Sequence, residues 1–582
     1  MLKPVSMHRS PVVLLALTIV AAAALYLLGN GAVSLWDRDE PRYAQCSRQM
    51  LKGFAGPGAH LPGLVVPHFL NDLRTEKPPL IYWLQAGAMT MLGDNAFAAR
   101  LPSALAMTAV LVLLAVAFYR AVDPSRAVWA VFIMGTSGLT IMSAKMCLTD
   151  ATLLLFTTTA QLCAFAIYRG NRAPWVPIVL WTALGLGGLT KGPIVLATLG
   201  GTLVALALLD RWIDGEWNLR WWIALRPLGG VVILAIINGP WLYLVHRQEP
   251  TFLPRLFGAA KRHALNTTEK HTAPPGFYLA TILGLFFPWC LLLPTTLTIA
   301  FRNRRQPMIR YALAVILGVW IFQEMLPTKL PFYMLPLFPA LALLTADGLI
   351  RCIAKEYDDL LRPAFKIAVI IFAMAVVALG LAPWLAFGTM PKKVFGASID
   401  LVGLAPKGAT VLLTGLAIAY AGTVTFFFFR RRFAAGASAM GIGIGCIFAA
   451  LFGVYLPNAR YIQISSHVAE ILNRQPIAPG DAIMIEYKEP SLAFYQGGTI
   501  VEKSTNSFLE VTPSNQWPTW IVMPKSLWDI ATPATRARLE IIGKPVPGVN
   551  YAGRIDRRQA IEVVVLKKKM LPDKERSSGG ER

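Results

Sequence analysis

The sequence predicts a polytopic α-helical membrane protein of about 13 transmembrane helices with a small C-terminal α/β domain, and three observations carry that prediction. Of 582 residues, 55% are hydrophobic and only 15% charged, where a soluble chain carries about a quarter charged residues. The apolar residues gather into runs of roughly 17–25, the length that crosses a hydrocarbon core of about 30 Å. The arginines and lysines fall mainly between those runs rather than on one soluble domain. That distribution turns the formal net charge of +23 into a signal of membrane orientation and excludes nucleic acid as a partner.

The apolar runs lie at 11–30, 79–93, 102–119, 127–145, 149–168, 174–190, 193–209, 222–245, 277–300, 308–326, 331–350, 364–388, 406–429 and 434–456. The first follows a short basic N-terminus as a signal peptide would. Gly29 to Leu35 holds no small-x-small cleavage site, so this run is expected to stay as the first helix. The basic connectors are Arg120/Arg126, Arg169/Arg172, Arg211 to Arg226, Arg302 to Arg310, Arg351 to Lys366 and Arg430 to Arg432. All are expected on the cytoplasmic side, with the N-terminus bearing Lys3 and Arg9.

If every run crossed, Arg120 and Arg126 would face outside. The weakest run is 79–93, which opens on Pro78-Pro79 and contains Tyr82, Trp83 and Gln85. A segment this short, with aromatic residues that favour the headgroup level, suits the outer interface. Laying it there satisfies every basic connector, with the N-terminus inside and the C-terminus outside. Residues 1–456 then form a transmembrane domain with a large first outer loop, 31–101, and an interfacial helix, 79–93.

Residues 457–582 differ in kind. Short β-rich runs (Ala482 to Tyr487, Trp520 to Met523, Glu540 to Ile542, Ile561 to Leu566) alternate with helix-like stretches such as Ser466 to Asn473. Turn signals at Ala478-Pro479-Gly480 and Gly497-Gly498 separate them. This predicts an α/β domain on the outer side, with Leu571 to Arg582 as a disordered tail. The six cysteines are scattered without CxxC spacing and announce neither a disulfide framework nor a thiolate metal site.

With this topology the unusual polar residues collect on the outer side. They are Asp37-Arg38-Asp39-Glu40-Pro41-Arg42 and Glu76-Lys77 in the first outer loop, Asp150, Lys191, His263 and His271 in loop 246–276, and Lys329. Ionisable groups at span ends are expensive unless paired or facing a wet cavity. Arg42, Lys77, Lys191 and Lys329 can hold a phosphodiester and stabilise a departing phosphate. Asp39 and Asp150 can orient or deprotonate an acceptor. Plainer readings stand beside these. Asp37, Arg38 and Glu40 also fit solvated loop charges, and Lys191 and Lys329 fit lysines reaching from helix ends to the headgroups. Asp150 also fits a carboxylate at a helix N-terminus. His263 and His271 also fit loop histidines, since no ligand cluster of fixed spacing surrounds them.

The segment Ser34 to Ala44, with Asp39-Glu40 at its centre, resembles the Asp-Glu motif in the first outer loop of polyprenyl-phosphate-dependent glycosyltransferases of the C-type fold. Those include protein O-mannosyltransferases and the lipid A aminoarabinose transferase family. Val66-Pro67-His68-Phe69-Leu70, Thr75-Glu76-Lys77-Pro78-Pro79-Leu80-Ile81-Tyr82-Trp83 and Lys329-Leu330-Pro331-Phe332-Tyr333-Met334-Leu335-Pro336 resemble the aminoarabinose branch in particular. The resemblance implies transfer of 4-amino-4-deoxy-L-arabinose from undecaprenyl phosphate to lipid A phosphates. The site would face the periplasm from the bacterial inner membrane, and the product would lower outer-membrane negative charge and confer resistance to cationic peptides such as polymyxin.

The expected site then has Asp39, Asp150 and Glu40 in catalytic roles, Asp39 matching the family's catalytic aspartate. Arg42, Lys77, Tyr82, Lys191, Lys329 and Tyr333 would face the donor phosphate. Glu76, His263 and His271 are the positions for a divalent metal, zinc or magnesium, which the reaction is not required to use. Pro41 stands where many relatives have threonine and suits a first helical turn. If the acceptor is instead a serine or threonine hydroxyl, as for a protein O-mannosyltransferase, a general base is needed and Asp39 serves it. The residue pattern alone leaves both acceptors open, and the resemblance favours lipid A. A transporter of lipid-linked sugars would require midplane charges and inverted repeats, whereas these charges gather at the outer rim.

Overall fold

Among the described residues, each apolar run of the sequence becomes largely helix in the computed structural model, which describes residues 10–35, 39–53, 62–217, 219–265, 272–357, 363–384, 406–487, 489–503, 508–549 and 560–569. The chain forms two compact units. One comprises Met1–Asn30, Arg74–Leu381 and Val411–Gly453, and the other Gly31–Leu73, Ala382–Thr410 and Val454–Arg582.

The helices are, in chain order, α1 (Pro11–Leu27), α2 (Asp39–Lys52, in the second unit), α3 (Leu80–Leu92), α4 (Ala96–Ala121), α5 (Pro124–Thr136), α6 (Gly138–Lys145), α7 (Asp150–Tyr168), α8 (Trp175–Lys191) and α9 (Ile194–Asp214). They continue as α10 (Pro227–Gln248), α11 (Phe252–Leu265), α12 (Phe277–Leu285), α13 (Leu293–Arg302), α14 (Pro307–Met325), α15 (Phe338–Ile353), α16 (Pro363–Trp384), α17 (Lys407–Phe429) and α18 (Phe433–Ala450). Local chemistry sets several boundaries. Asn95 accepts a hydrogen bond from the Ala98 N–H to open α4, and Asp123 does the same for Arg126 ahead of Pro124 in α5.

Among the described residues, nine helices are long and apolar enough to span a membrane, and eleven if each of two bent pairs is one span. The pairs are α5 with α6, bent by 60°, and α12 with Trp289–Arg302, bent by 116°. Helix α1, with 17 residues, is shorter and stands at the lower limit of a span. Helix α3 has 13 residues and rises about 20 Å, short of a hydrocarbon core. Large apolar side chains stay exposed on α10 (Leu228, Ile236) and α16 (Ile371, Leu379), faces that lipid covers at no cost and water would not. The chain is a multi-pass membrane protein.

Inside the helical unit, α9 and α14 meet at Gly201 and Gly318, where a Cβ on either would strike the other's backbone. Small residues of this kind let membrane helices approach closely. Charged groups then close one end of the bundle. Arg310 reaches Asp210 at 2.7 Å and Asp214 at 2.5 Å, and Tyr168 donates to Asp210 at 2.9 Å. Arg126 and Arg351 both bind the buried Asp347, at 2.7 and 2.8 Å, and Arg126 also pairs with Asp123. Several basic connectors thus meet at one end, much of their charge neutralised by carboxylates. Asp150 and Lys329 precede or open the same helices whose far ends carry Tyr168 and Arg351, so these two residues occupy the opposite end of the helical unit. Helix α7 alone separates the two levels by about 28 Å.

The second unit contains a five-stranded sheet of β1 (Ala482–Ile485), β2 (Val501–Lys503), β3 (Trp520–Pro524), β4 (Leu539–Val549) and β5 (Ala560–Lys568), in the order β2-β1-β3-β5-β4. Strand β1 runs parallel to β2 and β3, whereas β5 is antiparallel to β3 and β4. The edge strand β4 carries an irregularity between Ile542 and Val546, where Gly543 and Pro545 interrupt regular pairing. Sequence analysis anticipated four of these strands and missed β2, whose three residues are too short to show alternation.

Helix α19 (Ile464–Asn473) packs its apolar side against the sheet, and one core joins Val468, Leu472, Met484, Leu492, Trp520, Val563 and Leu70. Leu70 comes from the segment between α2 and α3. Residues 31–73 therefore group with the C-terminal domain, although sequence analysis assigned the whole of 31–101 to the membrane portion. The anticipated tail from Leu571 to Arg582 lies outside the described residues.

Candidate functional site

The sequence-predicted residues fall into two groups, one in each unit. In the second unit, Asp39 opens α2, where a carboxylate complements the helix dipole. Its side chain is 54% exposed and lies 3.5 Å from Arg42 one turn on. Glu40 is fully buried. Adjacent residues of a helix point about 100° apart, so one carboxylate of the pair is presented to solvent and the other is turned inward. Of the two predicted catalytic carboxylates here, Asp39 alone is exposed. Asp37 and Arg38 lie outside the described residues.

Helix α2 is polar along most of its length yet largely buried, and named contacts hold it. Arg48 donates to Gln45 Oε1 at 2.9 Å and to the Phe494 carbonyl at 2.5 Å, with its guanidinium 4.0 Å above the Phe494 ring. Gln49 and the backbone of Leu70 exchange two hydrogen bonds of 2.8 Å. Ahead of the helix, the Tyr495 hydroxyl accepts from the Leu35 N–H at 2.7 Å, and Ser34 bonds Gln463 and Ser466 at 3.0 Å. The Gly497-Gly498 turn approaches closely enough that a Cβ on Gly498, at φ +84°, would land on the Gln45 amide. The C-terminal sheet domain is thus the scaffold of the segment that carries Asp39. Sequence analysis noticed neither Arg48 nor Gln49, although four polar residues among five positions (Gln45, Ser47, Arg48, Gln49) on a buried helix are the signature of such an anchor.

In the helical unit, Asp150 and Lys191 come together across 41 residues of sequence. Lys191 Nζ lies 2.6 Å from Asp150 Oδ1, with the side chains 12% and 11% exposed. The same ammonium sits 4.9 Å from the Tyr333 ring centroid. Asp150 is the first residue of α7 and Lys191 the last of α8, so each charge suits its own helix end as well as its partner. The segment before Asp150 is held by Gln85, which donates to the Cys147 carbonyl at 3.1 Å, and by Ser103, which donates to Leu148 at 3.3 Å. Tyr82 is fully buried on α3, and Lys77 is half-buried ahead of it, followed by the buried Pro78-Pro79.

Lys329 has a different place from the one expected. Its ammonium lies 3.0 Å from Glu324 Oε2 and donates to the carbonyls of Glu324 at 2.7 Å, Leu326 at 3.1 Å and Gln323 at 3.4 Å. An ammonium has three donors, and here they meet one carboxylate and three carbonyls on a side chain that is 1% exposed. Glu324 also accepts from the backbone N–H groups of Gly276 and Tyr278. Lys329 therefore ties the end of α14 to its following loop rather than pointing into a phosphate site. Sequence analysis passed over Glu324 because it lies inside an apolar run.

A second buried cluster went unnoticed. Lys145 donates to the Leu28 carbonyl at 2.5 Å and lies 4.4 Å from the Phe452 ring centroid, while Arg100 donates to the Asn30 carbonyl at 2.9 Å. Both cations are 2% exposed. Lys145, a single cation closing the apolar run 127–145, was the available signal.

Of the three expected metal positions, only Glu76 has a described side chain. Glu76 pairs with Arg74 at 3.1 Å. His263 lies on helix α11 rather than in a loop, and His271 lies outside the described residues. Among the described residues no three His, Cys, Asp or Glu side chains converge as a metal site would require.

With this geometry in hand, the similarity to known proteins is specific. Residues 12–249 match the family of dolichyl-phosphate-mannose-protein mannosyltransferases. The chain is 33% identical over 364 residues to an undecaprenyl phosphate-alpha-4-amino-4-deoxy-L-arabinose arabinosyl transferase of Pseudomonas savastanoi pv. phaseolicola, covering 60% of this chain and 63% of the relative. A protein of the same name from Pseudomonas aeruginosa is 31% identical over 350 residues, 58% and 59% of the two chains. The chain thus spans about three fifths of the length of the curated relatives it matches. The crystal structure of ArnT from Cupriavidus metallidurans bound to undecaprenyl phosphate superposes with a TM-score of 0.69 at 18% identity, over 94% of this chain and 97% of that one. The two chains share a fold.

Proposed function

We propose that this protein transfers 4-amino-4-deoxy-L-arabinose from undecaprenyl phosphate to a phosphate of lipid A, at the periplasmic face of the bacterial inner membrane. The observation that carries this reading is the run of relatives bearing that enzyme name, at 31–33% identity over about 60% of the chain. The matched stretch of the mannosyltransferase family supports the broader class, glycosyl transfer from a polyprenyl phosphate.

The reaction replaces one phosphate by another at the sugar's anomeric carbon. An oxygen of the acceptor phosphate forms a bond to C1 as the C1–O bond to undecaprenyl phosphate breaks, and the leaving phosphate takes the electron pair. An acceptor phosphate is already anionic near neutral pH, so the work lies in placing two anions together and receiving the charge of the leaving group. Arg42, with its forked guanidinium, and Lys77 are suited to that charge. Asp39 is suited to orient the acceptor or the sugar's ammonium. The Asp150–Lys191 pair supplies a fixed ammonium whose direction is set by its carboxylate and by Tyr333. No step is assigned to a metal, and Lys329 is given a structural role.

The test is the mass spectrum of lipid A from a strain lacking this gene, complemented with the parent or with Asp39→Asn. Aminoarabinose-substituted lipid A should appear with the parent alone. Unmodified lipid A with a parent protein that is well inserted in the membrane would overturn the reading.

A further inference from the structure

At the end of the helical unit that carries the charged network, a cavity of about 510 Å³ opens between the C-terminal end of α15 and the turn joining α17 to α18. Its lining includes Lys355, Arg430, Arg431 and Arg432, with Ile353 and Phe433 as apolar wall. No carboxylate lines it among the described residues. Helix C-termini attract cations, and that accounts for part of the charge. Two helix ends contribute roughly one negative charge between them. Lys355, Arg430 and Arg432 bring three positive charges even without Arg431, so the described lining of the cavity is strongly electropositive.

The backbone reinforces this. Helix α15 ends with Lys355 N–H bonded to the Cys352 carbonyl and Glu356 N–H to Arg351, and α17 ends with the same pattern at Arg431 and Arg432. In such terminations the left-handed position prefers glycine. Here it is held by Lys355 at φ 60° and Arg431 at φ 55°, and both face the same cavity. Two strained positions thus carry cations where glycine would relieve the backbone.

Beside the cavity, apolar side chains stay exposed on α16 (Ile367, Ile370) and α17 (Phe426, Phe429). Lys366 lies 5.9 Å from the Phe429 ring centroid and Arg430 5.7 Å from that of Phe426. A cavity with a cationic rim therefore adjoins an exposed aromatic surface.

We propose that this cavity binds the phosphate headgroup of an anionic phospholipid, whose acyl chains lie along the exposed faces of α16 and α17. Basic pockets between membrane helices take such headgroups, and the volume falls in the roughly 300–1,000 Å³ range of small-ligand sites. The apolar surface beside the cavity favours a lipid over free phosphate as the source of the anion.

The experiment uses the purified full-length protein in detergent, with thermal midpoints measured against added cardiolipin, phosphatidylglycerol, phosphatidylcholine or inorganic phosphate at equal phosphate concentration. The anionic lipids should raise the midpoint, and phosphatidylcholine and inorganic phosphate should not. The double variant Lys355→Gly/Arg431→Gly removes two cations while giving the backbone the residue it prefers. It should be at least as stable without lipid, yet bind the anionic lipids roughly thirty-fold more weakly. The variant Arg430→Gln/Arg432→Gln leaves both left-handed positions intact and should lose the lipid response in parallel. An undiminished lipid response in a folded variant of either kind overturns the proposal. An equal shift from inorganic phosphate overturns the assignment to a lipid.

Discussion

Arg48 reaches from the helix that begins at Asp39 to the carbonyl of Phe494, 2.5 Å away, and lays its guanidinium 4.0 Å above the same residue's ring. A side chain near the start of the chain is thereby fastened to a short helix more than 400 residues later. Replacing Arg48 by Ala removes a charge-assisted bond, the stacked surface and the partner of Gln45. The expected cost is about 2 kcal/mol of stability, read as a lower thermal midpoint, together with a fall in transfer. Arg48→Lys should recover part of the stability but not the stacking. An Ala variant as stable and active as the parent would show that α2 is held by other contacts.

Asp39 and Glu40 should separate on substitution, because one is 54% exposed at its side chain and the other fully buried. Asp39→Asn is expected to keep the parent's thermal midpoint and lose transfer by about 10²–10⁴-fold. Glu40→Ala should instead lower the midpoint, by about 1–3 kcal/mol of stability. Unfolding curves and transfer rates measured on the same preparations decide between the two patterns.

Lys329 and Lys77 should also part company. Lys329→Met and Glu324→Gln should each destabilise, and their double variant should fall short of the sum by about 1–3 kcal/mol, since the two groups are paired at 3.0 Å. The folded fraction of Lys329→Met should bind undecaprenyl phosphate as the parent does. Lys77→Ala should fold normally and bind it more weakly. Binding isotherms on the purified variants in nanodiscs are the measurement, and weakened lipid binding by a folded Lys329→Met variant would return that residue to the donor site.

The pair of Asp150 and Lys191 is only 11–12% exposed, so removing one partner leaves a nearly buried charge. Lys191→Met should cost about 3 kcal/mol. Adding Asp150→Asn should restore most of that stability without restoring transfer. A double variant that recovers both would leave the pair a structural role only.

Membrane sidedness is tested by single-cysteine variants and an impermeant thiol reagent. A cysteine at position 123 should be protected in intact cells and one at position 466 labelled. Labelling at 123 from outside would remove the thirteen-span topology, and with it the interfacial placement of α3.

The linear sequence determined what depends on composition and local periodicity. Membrane class, the positions of the helices and four of the five sheet strands follow from hydropathy, cap residues and turn residues, which act over a few neighbouring positions. It also singled out Asp39, Lys77, Asp150 and Lys191 as charges that a span end would not carry without reason. Only the tertiary structure decided which charges are already satisfied. Lys329 and Lys191 have similar surroundings in sequence, each in a short segment next to proline. Lys329 is saturated by Glu324 and three carbonyls of its own neighbourhood, whereas Lys191 pairs with Asp150, contributed from 41 residues away, and sits beside the Tyr333 ring. The grouping of residues 31–73 with the C-terminal sheet was likewise invisible, because Leu70 enters that core and Arg48 meets Phe494 through contacts that no local pattern encodes. Charges report where a chain is costly to bury; their partners, which set what each charge is left to do, are chosen by folding.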